Sequence, residues 1–190
     1  MRAYRAKDMA DSKADLLAGA GGLVTDEAQS DHQGRKALLL VRNNEDCDEF
    51  IALAKTMGIN IVDRVDQRGR SDAKWFLGQG KLQDVNEELR STSHGHPWND
   101  VDLLLLHTNA TPRQLVGVND AVGIEVWDRV RLLLALFTAH ASSVEARTQV
   151  RIARLQSDRT VLREVVKQQT TGERAGYGGA GQTAAGSVLT

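Results

Sequence analysis

At 190 residues and 41% hydrophobic content, the chain can fill the core of one medium domain, which excludes a wholly disordered protein; aromatics are only 4%, so that core is aliphatic. A single cysteine excludes a disulfide framework and fits a reducing, cytoplasmic setting, and there is neither a signal-peptide h-region nor an apolar run near the roughly 18 residues of a membrane helix. Net charge is −1, yet residues 129–174 carry nine Lys/Arg against four acids, so a basic C-terminal segment is balanced by an acidic remainder and points to a polyanionic partner.

Residues 1–34 are polar, small and glycine-broken, which predicts a flexible arm with at most a short helix near Ala6–Ala18. An alternation then begins. "KALLLV" (Lys36–Val41) is a continuous apolar run, the pattern of a strand covered on both faces. "DCDEFIALAKTMG" reads as a helix, with Phe50, Leu53, Ala54 and Met57 at helical spacing and Gly58 at its C-terminal stop. Ile59–Val65 is a second strand. Gly80 opens a helix with Leu82, Val85 and Leu89 on one face, and Val101–His107 is a third, buried strand. "TPRQLVGVNDAVG" follows as a helix, with Pro112 in the first turn and Gly123 as its stop, and Ile124–Asp128 is a short fourth strand.

Repeated strand–helix units with right-handed crossovers predict an α/β fold: a four-stranded parallel sheet flanked by helices. From Arg129 the pattern changes to an apolar helix, "RVRLLLALFTAHA", and then to a long helix over Val144–Gln168. Its apolar positions Val144, Ile152, Leu155, Leu162 and Val166 make an imperfect stripe broken by Arg159, a helix in need of a partner, like one arm of a helical hairpin. The expected organisation is an arm (1–34), an α/β domain (35–128), a helical subdomain (129–170) and a glycine-rich tail (171–190).

The stretch "KWFLGQGKLQDV" imitates a phosphate loop. A true one needs a glycine five residues before the Gly-Lys pair and a Ser or Thr after the lysine; here those positions hold Trp75 and Leu82, so nucleotide splitting is not expected. Two readings remain for Gly78, Gly80 and Lys81: an anion site at a helix start, or a tight turn with a solvated lysine. His107 and Asn109 stand where α/β sheets place ligands, at the carboxyl end of a strand. His94 and His96 lack a ligand set for metal and read as solvated, His140 as a packed or capped helix residue, and Cys47, among acids, as unreactive. Arg147, Arg151 and Arg154 line one face of the long helix. They either grip nucleic-acid phosphates or form a solvated face with pairs such as Arg154–Asp158. No catalytic constellation and no metal site follow from spacing.

Four segments in order, "DRVDQR", "WFLGQGKLQDV", "VDLLLLHTNATPRQL" and "IEVWDRVRLLLALFTAHASSVEARTQVRIARLQ", resemble the N-terminal region of the HflX GTPases over about residues 36–183. The family turn, aromatic-x-Gly-[Lys/Gln]-Gly-Lys, matches Phe76–Lys81, and the polar strand end matches Asn109–Gln114. "V-x-D-R" matches Val126–Arg129, and "A-R-[ST]" with its apolar continuation matches Ala146–Leu155. The family's "G-P-G-E-T-Q-L-E" turn is altered here to "GAGQTAAG", and the GTPase domain is not among these residues. The resemblance implies a ribosome-associated protein whose N-terminal domain contacts ribosomal RNA of the large subunit. It implies GTP and Mg2+ only for a member that carries the GTPase domain, and ATP as a further ligand of the N-terminal region. The alternatives are a stand-alone nucleotide- or small-molecule-responsive module, or a homodimer formed through the unpaired long helix.

Overall fold

A computed structural model describes residues 32–92 and 95–177, with side chains up to residue 171. Strands β1 (Lys36–Arg42), β2 (Asn60–Gln67), β3 (Val101–Leu106) and β4 (Glu125–Trp127) form one sheet in the order β2-β1-β3-β4, every neighbouring pair parallel. Between and after them run α1 (Asp48–Thr56), α2 (Gln79–Ser91), α3 (Pro112–Val122), α4 (Arg129–His140) and α5 (Val144–Tyr177). The α/β reading is what the chain adopts.

The apolar runs of β1 and β3 serve both faces of the sheet. Leu38, Leu40, Leu104 and Leu106 face α2 and α3, packing with Leu82, Val85, Leu115 and Val118. Leu39, Val41, Leu103 and Leu105 face the other way, against Phe50 and Ala54 of α1 and Leu132 of α4. Burying each leucine side chain on either face contributes about 1.5–3 kcal/mol, so neither face admits a polar alternation.

Local signals close the elements as read. Thr111 caps α3 in a reciprocal capping box with Gln114, Pro112 occupies the first turn, and Gly123 ends the helix at φ +81°. Gly58 follows α1 at φ +75°. The Asp128 carboxylate caps α4 by accepting from the Arg131 N–H at 2.9 Å.

The helix α4 packs on the sheet: Leu132 lies in the same core as Trp127 and Phe50. Two expectations need correction. First, α5 continues to Tyr177, beyond the expected end at Gln168 and into the segment read as a tail. Second, the stripe Val144, Ile152, Leu155, Leu162 and Val166 does not face the core: all but the half-buried Leu162 are exposed, while Val161 and Val165 are buried against the α2/α3 layer. The true inner face was hidden because it also carries charges, Arg154 and Asp158, which Arg131 of α4 accompanies. The short helix read near Ala6–Ala18 lies outside the described residues. No described helix is long and apolar enough to cross a membrane.

Candidate nucleic-acid interface

β1 leads through α1 to β2 on one side, and β2 leads back through α2 to β3 on the other, so the chain reverses direction between β1 and β3. Sheets of this kind hold ligands outside the carboxyl ends of the strands at that reversal. Asn43 and Asn44 turn there in the left-handed region, at φ +54° and +53°. His107 sits edge-on to Phe50 at 5.4 Å, with its Nδ1 3.3 Å from Glu45 Oε2. That contact lacks hydrogen-bond angles and leaves Nδ1 buried without a bonded partner, so proximity is all it provides. Asn109 is exposed.

The Gly78–Lys81 turn lies with α2, on the opposite face of the sheet from the His107–Phe50 contact, so the structure does not join the two sets. The Gly78 N–H is already committed: it donates to Gln67 Oε1 at 2.7 Å, an oxygen that also accepts from Arg42 Nη1 at 3.0 Å. A Cβ at Gly78 would approach Gln67 Nε2 at 3.1 Å, whereas Gly80 has open space around it. Leu82 is fully buried where a magnesium-binding hydroxyl would have to stand. These residues therefore do not fit a GTP–magnesium pair, and no step through one can be derived from them.

The loop that precedes the turn is held from every side. Asp72 accepts from the backbone N–H groups of Lys74 and Trp75 at 2.6 and 2.8 Å, and those two bonds hold its carboxylate below the ordinary aspartate range. Gln114 of α3 donates to Ser71 Oγ and to the Asp72 carbonyl at 3.0 and 2.7 Å. Gly117 of α3 lies directly under Lys74: a Cβ there would sit well under 3.0 Å from the Lys74 carbonyl oxygen. Phe76 is buried at φ +61°, an uncommon conformation for a bulky residue.

On α5, Arg147, Arg151, Arg159, Arg163 and Lys167 are exposed. Arg154 parts from them. It is half-buried, reaches Thr138 Oγ1 of α4 at 3.5 Å, and its pKa is lowered by burial despite Asp158 nearby. Next to it, Arg131 is 6% exposed and its guanidinium lies 3.8 Å from Asp158. Burial pulls the Arg131 pKa down and pushes that of Asp158 up, so for both groups desolvation outweighs the attraction.

Cys47 is buried ahead of α1, its thiol donating to the Glu45 carbonyl, and burial is the main cause that pushes its pKa up. His140 is exposed, with Nδ1 2.8 Å from the Leu136 carbonyl. His96 Nδ1 accepts from the Trp98 N–H, and His94 lies outside the described residues. Arg42, Gln67, Asp72, Gln114 and Gly117 were missed from sequence. Two of them left a trace: Gln114 in the capping box of "TPRQ" and Gly117 as a glycine in mid-helix.

Residues 44–138, half of the chain, match the family described as GTP-binding GTPase N-terminal. The chain belongs to this family. It is 31% identical over 133 residues to the GTPase HflX of Hyperthermus butylicus, covering 70% of this chain and 34% of that protein. To the GTPase HflX of Thermococcus kodakarensis it is 28% identical over 134 residues, covering 70% and 29%. The chain thus spans about a third of the length of the curated relatives it matches. A mutation variant of SsGBP shares the fold at a TM-score of 0.56 and 25% identity, over 69% of this chain and 41% of that one. A GTP-binding protein from Sulfolobus solfataricus in complex with GDP does so at 0.54 and 23%, over 74% and 42%. The order of motifs had pointed to an HflX N-terminal domain, and these matches agree.

Proposed function

We propose that this HflX-type N-terminal domain docks on the large ribosomal subunit, gripping ribosomal RNA phosphates with exposed cations of α5, and that its own residues hydrolyse no GTP. The observation that carries this reading is the run of exposed cations along α5. Val161 and Val165 anchor the helix in the core; Arg147 and Arg151 continue that same face beyond its buried stretch and are exposed, and Arg159, Arg163 and Lys167 are exposed on another side. Arg154, spent in the seam with α4, is left out of the RNA-facing set. Self-pairing through the same helix is disfavoured, because the exposed Ile152, Leu155 and Val166 are interspersed with Arg159 and Arg163, which a second copy would repeat.

Co-sedimentation with large subunits over a salt series tests the proposal. Binding should weaken as salt rises, and Arg147→Ala with Arg151→Ala should lower the log–log slope by about 1–2. Absence of co-sedimentation at any salt, or release of phosphate from GTP by the chain, overturns it.

The reversal between β1 and β3 favours a second reading: a nucleotide or other small anion, ATP among them, held by His107 and Asn109. Melting curves with ATP and GTP read this directly. The second reading expects a rise in Tm that His107→Ala removes, and no rise with either nucleotide retires it.

A further inference from the structure

We infer that the loop after β2, residues 68–78, together with Arg113 at the start of α3, is a second RNA-contacting surface. It would stack an unpaired base on Trp75 and hold the neighbouring phosphates with Arg68, Arg70, Lys74 and Arg113. The inference rests on the RNA-docking reading and assigns it a contact separate from α5.

Charge comes first. Between Arg68 and Lys81 the chain carries four cations, Arg68, Arg70, Lys74 and Lys81, and one acid, Asp72. That acid accepts from the N–H groups of Lys74 and Trp75. Arg68, Arg70 and Arg113 are exposed. Arg113 precedes Gln114, whose side chain bonds the loop at Ser71 and Asp72, so it stands beside the loop.

The aromatic comes second. Of the three tryptophans, Trp98 and Trp127 are 5% and 1% exposed, and their indole N–H groups donate to Asp63 and Glu125. Trp75 differs: it packs at the edge of the core, half-buried, with Lys74 Nζ 4.8 Å above its ring. Stacking of a base on an aromatic ring outweighs an exposed cation–π contact. A base therefore displaces the ammonium, which is then free to meet a phosphate. Sequence-specific contacts to RNA target such unpaired, stackable bases.

Rigidity comes third. Gln67, Gln114 and Asp72 tie down the loop, Gly117 lets α3 approach the Lys74 backbone, and Phe76 is kept at φ +61°, an unfavourable conformation for a bulky residue. A loop whose role was to connect β2 to α2 would need none of this. One that presents Lys74 and Trp75 in a fixed pose gains by losing less entropy on binding.

Tryptophan emission supplies the test, since Trp75 is the one indole of the three within reach of a base. The full chain is titrated at low salt with oligouridylate of about ten nucleotides, a length within the span of single-strand sites. We expect quenching that Trp75→Leu removes and that Lys74→Glu with Arg113→Glu weakens about tenfold or more. The Lys74 and Arg113 exchange keeps the proposal falsifiable if Trp75→Leu disturbs folding, which a melting curve reports. Quenching that is absent, unchanged in the charge-reversed variant, or matched by ATP at equal phosphate overturns the inference. Failure of the α5 reading shows elsewhere, as co-sedimentation with large subunits that Arg147→Ala and Arg151→Ala do not alter.

Discussion

Replacing Arg131 with methionine should lower the unfolding free energy by about 3–5 kcal/mol, the usual loss when one partner of a buried ion pair is removed. Methionine keeps much of the apolar stem volume, so the loss is chiefly electrostatic: Asp158 would stay in the α4–α5 seam with Arg154 alone to offset its charge. The double variant, Arg131→Met with Asp158→Leu, should recover most of the loss, because an apolar pair of similar volume replaces two desolvated charges. Urea unfolding reads both, as a shift of midpoint at constant slope. A single variant that loses under about 1 kcal/mol would mean that the seam is wet enough to screen the pair.

The pH dependence of the single variant follows in sign. Burial already raises the Asp158 pKa above its ordinary value, while Arg131 and Arg154 pull it down. Without Arg131 it rises further. A carboxyl that holds its proton more tightly folded than unfolded adds stability as pH falls, and that gain is lost as pH climbs through the raised folded pKa. The penalty of Arg131→Met should therefore be largest at neutral pH and should shrink toward the ordinary aspartate range.

Gly117→Ala is the second large effect, and its sign runs against helix propensity. In an open helix the exchange gains about 1 kcal/mol. Here the added Cβ lands on the Lys74 carbonyl, in a loop that Asp72, Gln67 and Gln114 keep from moving aside. Overpacking of this kind costs about 1–3 kcal/mol or more, so the net result should be a loss of roughly 1–2 kcal/mol. Gly80→Ala provides the contrast within the same fold. Nothing lies within 4 Å of its added Cβ, and thermal melts should show it neutral or stabilised by up to about 1 kcal/mol. If Gly117→Ala also fails to destabilise, the close approach of α3 to the loop is not holding the loop in place.

The sheet was legible because burial on both faces leaves no polar alternation to confuse: Leu38–Val41 and Leu103–Leu106 can be little else in a chain with glycine stops at Gly58 and Gly123. The family was legible because four weak motifs in fixed order are specific where each one alone is not. The departure from a phosphate-loop pattern was readable at Trp75 and Leu82, and Leu82 is buried in the core.

Which face of α5 turns inward was not legible. Periodicity favours Ile152, Leu155 and Val166, and those three are exposed; the buried side carries Val161 and Val165 among Arg154 and Asp158. Such a face becomes inward only when Arg131 of α4 arrives to accompany its charges, and α4 comes from a different stretch of chain. The same holds for "KWFLGQGK". Sequence alone shows where it departs from a phosphate-loop pattern, at the single positions Trp75 and Leu82. That Gly78 is committed to Gln67, that Gly117 makes room for Lys74, and that Trp75 is left at the surface under a lysine depend on contacts across the fold. Local composition determined the elements and the lineage; pairing between distant segments decided which cations face out.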